Sequence, residues 1–178
     1  MTDQSLTTSY PISDEHLRAI GAIVIAWSQV EMTMEIAICG LYRIDPDRGL
    51  VLTANIGFQS RVSLLRILAK RGAIKDRETT AAALKILTRI EEGYAKRNSA
   101  AHGVWGGTAD PKIAKRMSIR ARGSRLVCAN DEVTASQLQS IVAEIEALRL
   151  DFSRLLRRLN LDTPAGHRSP TPTTPPNS

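Results

Sequence analysis

The residues of this chain best suited to chemistry are Arg97-Asn98-Ser99-Ala100-Ala101-His102, followed at once by Gly103. They bring an arginine, a carboxamide and one of only three histidines into one short segment. Those groups suit phosphodiester chemistry, because a guanidinium grips phosphate oxygens and an imidazole moves a proton near neutral pH without a metal ion. On a helix Asn98 and His102 are four apart and share a face. Arg97 lies about 100° round from Asn98 and diverges from His102 by about 140° on an ideal helix, but its side chain is long enough to reach the same mouth. The expected roles follow from the groups. His102 acts as general base or acid on a ribose 2′-hydroxyl or on the leaving oxygen. Arg97 neutralises the charge that develops on the phosphorane oxygens, and Asn98 orients His102 or the phosphate. One imidazole does not serve as both base and acid in a single in-line displacement. A second copy from a two-fold-related chain supplies the missing group, so the chemistry points to a homodimer with the segment at its interface. The structural alternative is a helix end in which His102 stabilises the dipole and Arg97 is a solvated charge.

Other chemistries find little support. Cys39 and Cys128 lie far apart in apolar surroundings and are expected to be buried free thiols in a reducing cytoplasm. His16 is expected to be exposed in the first turn of a helix, and His167 falls in the tail; neither belongs to a ligand-spaced cluster, so no metal or other cofactor is expected. Ser28 and Ser99 have no neighbouring base and acid for a triad. Trp105-Gly106-Gly107 is too short for a phosphate loop and follows a helix instead of leading into one. The formal charge of +6 makes a polyanion a plausible partner, whereas an aromatic content of 4% argues against a binder that stacks single-stranded bases. Six basic residues and no acid occur among Lys112, Lys115, Arg116, Arg120, Arg122 and Arg125. Of these, Arg116, Arg120 and Arg122 are the candidate RNA-binding residues on a basic strand face; the alternative is an edge strand kept from aggregating by its charges.

These groups must be placed by the surrounding elements. Residues 1–11 are polar and read as a flexible N-terminus without a secretory n-region. Ser13, with Asp14 and Glu15 behind it, reads as the start of a helix over about 13–43. Its stripe is expected to run through Leu17, Ile20, Val24, Trp27, Met34, Ile38 and Leu41, with Glu31 in the slot between Trp27 and Met34. An acid there needs a partner. The longest uncharged apolar run, residues 19–30, is too short to span a bilayer. Asp45-Pro46 opens a short helix closed by residues 55–57. Phe58, Val62, Leu65 and Ala69 mark a third helix ending near Gly72. Asp76 caps a fourth that carries the 97–102 segment, with Gly103 as a left-handed C-cap. Alternating Met117, Ile119 and Ala121 predict a strand, with a turn at Gly123-Ser124 and a return over 125–129. Val104-Trp105 reads equally as a short strand or a loop. Thr134 and Gln137 form a capping box before a last helix with apolar residues from Leu138 to Leu159. Five prolines from Thr163 onward predict a disordered tail. The expected architecture is mainly α: a bundle of four to five helices over 12–162, with a β-hairpin at about 113–130.

Arginine followed by a polar residue and then by histidine, late in a helix of such a bundle, resembles the R-x4-6-H motif of HEPN-domain proteins. The surroundings are similar too: Trp27-Ser28-Gln29-Val30-Glu31 in the first helix, Phe58-Gln59-Ser60-Arg61-Val62 in the third, and the continuation His102-Gly103-Val104-Trp105. The likeness covers about residues 12–160. It implies a HEPN-like bundle and a metal-independent endoribonuclease acting as a cytoplasmic homodimer with paired motifs. It also implies a role as a toxin or phage-defence effector that answers to a cognate antitoxin or inhibitor. By the same resemblance Arg97, Asn98 and His102 form the catalytic set and Glu31 supports it, the rival for Glu31 being a structural ion pair with a buried arginine. Some proteins of this kind act only as non-catalytic interaction or scaffold modules, which is the alternative here. A DNA-binding regulator is a third reading, weakened by the absence of a short helix-turn-helix with a basic second helix.

Overall fold

The computed structural model describes residues 10–122 and 125–161, without the side chains of 46, 50, 119–122 and 125–127. Among the described residues the chain is mainly helical, with five helices and one three-stranded antiparallel sheet. The elements are α1 (Asp14–Tyr42), α2 (Pro46–Ala54), α3 (Phe58–Lys70), α4 (Arg77–His102), β1 (Val104–Gly107), β2 (Ile113–Arg122), β3 (Arg125–Thr134) and α5 (Ala135–Arg158). The expected hairpin grows into a sheet: β1 pairs along β2, and β3 runs on to Thr134. The expected turn at 123–124, the first nine residues and the proline-rich tail lie outside the described residues.

Three helix starts, those of α2, α4 and α5, follow their sequence signals. Asp45 accepts from the backbone N–H groups of Asp47 and Arg48 ahead of Pro46. Asp76 accepts from the Thr79 backbone N–H at 2.8 Å and from its hydroxyl, and these bonds hold the Asp76 carboxyl below the ordinary carboxylate range. Thr134 and Gln137 close a reciprocal box, with Gln137 Oε1 accepting from Thr134 N at 2.8 Å and Thr134 Oγ1 accepting from Gln137 N at 3.2 Å.

The stripe of α1 keeps Trp27, Met34 and Ile38 as expected but runs through Ile23 and Val30 instead of Val24 and Glu31. Ile23, Trp27, Val30 and Met34 are at most 1% exposed, whereas Val24 is 37% exposed. Val30 therefore fills the slot assigned to Glu31, and Glu31 lies half-buried beside it. The three successive apolar residues Ile23, Val24 and Ile25 allow either phase, and only packing decides between them. By length and composition α1 could cross a membrane, a property that a buried core helix shares.

The described residues form two compact units. The first comprises the chain up to Ser28 and Glu92–Ala147. Trp27 and Tyr94 pack there with ring centroids 6.0 Å apart. Its sheet puts Ala114 opposite Val133, both buried, and puts Arg116 between Trp105 and Asp131. His16, expected outside, is fully buried in this unit. Its Nε2–H donates to the Val133 carbonyl at 3.1 Å, and its Nδ1 lies 2.7 Å from Ser13 Oγ. A position three residues into a helix looks solvated in sequence, but β3 covers it. His16→Leu keeps the volume and removes both hydrogen bonds; it is expected to lower stability by about 2 kcal/mol, read from the midpoint of a urea titration.

The second unit comprises Gln29–Glu91 and the chain from Leu148. Arg61 ties it together. The guanidinium donates to the Ile56 and Thr53 carbonyls at 2.8 and 3.0 Å and pairs with Glu35 at 2.9 Å. Glu35, one turn beyond Glu31, is thus an acid of α1 joined to a largely buried arginine. Arg89 donates to Asp151 at 2.7 Å, which is the main reason the Asp151 carboxyl sits below its ordinary range. A cavity lined by Leu41, Leu65, Leu87, Phe152 and their apolar neighbours has no polar side chain in its wall. That leaves it without a group to orient a reacting substrate.

Candidate active site

Three side chains near the end of α4 meet around Arg97. Its Nη1 donates to Asn98 Oδ1 at 3.0 Å and lies 3.1 Å from His102 Nε2. The divergence of about 140° along a regular helix is bridged by the length of the arginine side chain. Asn98 therefore orients Arg97, not His102. An arginine N–H can donate only to an unprotonated ring nitrogen, so this contact belongs to the neutral imidazole with its proton on Nδ1. Arg97 and Asn98 are half-buried and His102 is exposed. Both hydrogens of Nη1 are engaged, while Arg97 Nε is buried and finds no acceptor among the described residues. A buried unpaired donor costs on the order of 1–3 kcal/mol. An oxyanion that takes over Nη1 would free His102 Nε2 for proton transfer.

The sheet brings further residues to this helix end. Trp105 Nε1 donates to the Ala100 carbonyl at 2.9 Å. The Arg116 guanidinium lies over the Trp105 ring, 5.8 Å from its centroid, and pairs with Asp131 at 2.9 Å. Gly103 is needed for close approach and not for a left-handed turn. A Cβ there would fall 2.7 Å from Arg116 Cγ and 2.8 Å from the Ser99 carbonyl oxygen, and its φ is not positive. The expected left-handed C-cap is thereby corrected, because β1 continues directly from the helix. Among known family models, curated proteins and solved structures, the chain matches none.

The remaining predicted residues are placed as follows. Arg116 shares its strand face with buried Ala114, and its side chain is only 15% exposed. It is committed to Trp105 and Asp131 instead of standing on an open basic face. Arg120 and Arg122 pair in register with Val127 and Arg125, and their side chains lie outside the described residues. Glu31 belongs to the second unit and the Arg97 cluster to the first. Cys39 is buried as expected, and burial raises its thiol pKa; Cys128 is exposed, against expectation. Among the described residues no cluster of three His, Cys, Asp or Glu side chains could hold a metal ion. Gly103, Trp105 and Asp131 were not singled out as site residues from sequence. The available signal was the one tryptophan just past the motif, but its role depends on a strand register that Val104-Trp105 does not itself specify.

Proposed function

We propose that this chain is an endoribonuclease that needs no metal ion, a HEPN-like bundle working as a homodimer with two Arg97/His102 pairs in one cleft. The observation that carries this reading is Arg97 Nη1 at 3.1 Å from His102 Nε2: a fixed cation beside a neutral imidazole. RNA phosphate binds Arg97 and draws it from the ring. His102 Nε2 then takes the proton of the ribose 2′-hydroxyl, which attacks the adjacent phosphorus. Arg97 stabilises the charge on the non-bridging oxygens. A second copy of His102, entering protonated from the two-fold-related chain, gives its proton to the leaving 5′-oxygen. The products are a 2′,3′-cyclic phosphate and a 5′-hydroxyl, and the two imidazoles exchange protonation states. A cytoplasmic toxin or phage-defence effector held in check by an antitoxin or inhibitor protein fits such an activity.

The test is cleavage of mixed cellular RNA by the purified protein in EDTA, with end-group mapping of the products. Fragments with cyclic phosphate and 5′-hydroxyl ends are expected. Intact RNA, or fragments with 5′-phosphate ends, would reject the reading.

A further inference from the structure

The end of α4 is built differently from the ends of α1, α3 and α5. Those three close on a residue with left-handed backbone: Arg43 at φ 54°, Asn160 at 55° and Gly72 at 86°. In each case the next N–H donates to the carbonyl five residues back, Ile44 to Cys39 at 3.0 Å, Leu161 to Leu156 at 2.9 Å and Ala73 to Leu68 at 3.2 Å. That closure serves the carbonyls a helix end leaves unpaired. α4 has no left-handed residue behind His102. Its Ala100 carbonyl receives the Trp105 indole N–H instead. The Arg116 stem lies against Gly103 from the other strand, and Asp131 and the Trp105 ring hold the Arg116 guanidinium.

We infer that Trp105 is a positioning residue for His102, with Arg116 and Gly103 completing the brace. The need for one follows from the geometry. Arg97 and His102 do not share a helix face, and His102 is the exposed last residue of α4. Their contact at 3.1 Å survives only if the final turn is held in place from outside the helix. The indole N–H does this at the carbonyl two residues before His102, and Gly103 lets β2 approach closely enough to support it. Arg116 thereby acts through the helix end and not on a phosphate. The inference rests on the nuclease reading only for what His102 then does.

Trp105→Phe keeps an aromatic ring against Arg116 and removes only the indole N–H. The direct readout is nitrogen NMR of histidine-labelled protein in mildly alkaline buffer without RNA. In the native protein His102 is expected as the Nδ1–H tautomer, and His16, which donates from Nε2 to Val133, gives the opposite tautomer as an internal control. In W105F the His102 signal is expected to move to the Nε2–H form while His16 is unchanged. In the RNA assay kcat is expected to fall about tenfold or more with KM within about twofold. Retention of the native His102 signal in W105F, or its absence from the native protein, would overturn the proposal. Loss of the signal in W105F from a native protein that cuts no RNA would support the brace while rejecting the nuclease. If W105F does not fold, Gly103→Ala tests the same turn, and an unchanged His102 tautomer there would equally overturn it.

Discussion

His102→Ala is expected to fold and associate like the native protein and to lose RNA cleavage by about 10²–10⁴-fold, the usual contribution of a positioned general acid–base group. The side chain is exposed at the end of α4, and its hydrogen bond is to Arg97. Removing it leaves no buried cavity and no packed neighbour exposed. Circular dichroism, melting temperature and elution volume should match the native protein, while a fluorescent RNA incubated in EDTA stays intact. In a homodimer with paired motifs, each centre needs one imidazole to take a proton and another to give one. A dimer with one native and one H102A subunit is therefore expected to be nearly as inactive as the double variant. Cleavage within a few-fold of native by H102A would sink both the role and the pairing.

Arg97→Lys tests whether charge alone is enough. A lysine keeps the positive charge but replaces a planar fork by a single ammonium group. It does not reproduce an arm that meets Asn98 and His102 together at 3.0 and 3.1 Å. Cleavage is expected to drop by about 10²-fold or more, close to the loss in Arg97→Ala, because the group acts on transition-state charge. Stability should move the other way or hardly at all. Arg97 Nε is buried without a partner among the described residues, so truncation to alanine removes an unsatisfied donor. A denaturant midpoint equal to or above native, together with lost cleavage, would mark Arg97 as kept for function at some cost to stability. If Arg97→Ala lost stability in proportion to activity, or if R97K stayed active, the guanidinium would be a structural clamp.

The fold was legible in the sequence where its causes are local. Pro46 after Asp45, the Asp76 cap and the pair of Thr134 and Gln137 each act over three residues or fewer, and all three stand where expected. The motif itself was legible as residue types on a helix. What misled was equally specific. Gly103 looked like a left-handed cap, but its missing Cβ makes room for Arg116. His16 looked solvated and is buried under a carbonyl 117 residues away. Arg116 looked like one of several open cations and is half of a braced ion pair. Glu31 looked central to a stripe whose phase passes through Val30.

The sequence alone therefore determined the helices, the N-caps at Asp45, Asp76 and Thr134, and the presence of an arginine and a histidine at one helix end. Periodicity and capping bonds reach only one turn, and each residue carries that information itself. Tertiary structure decided that Arg97 and His102 touch. Their meeting crosses the helix, against its periodicity, at an end steadied by a row running from Trp105 through Arg116 to Asp131. That row exists only once three strands take one register, and register is a property of their pairing, not of any one strand.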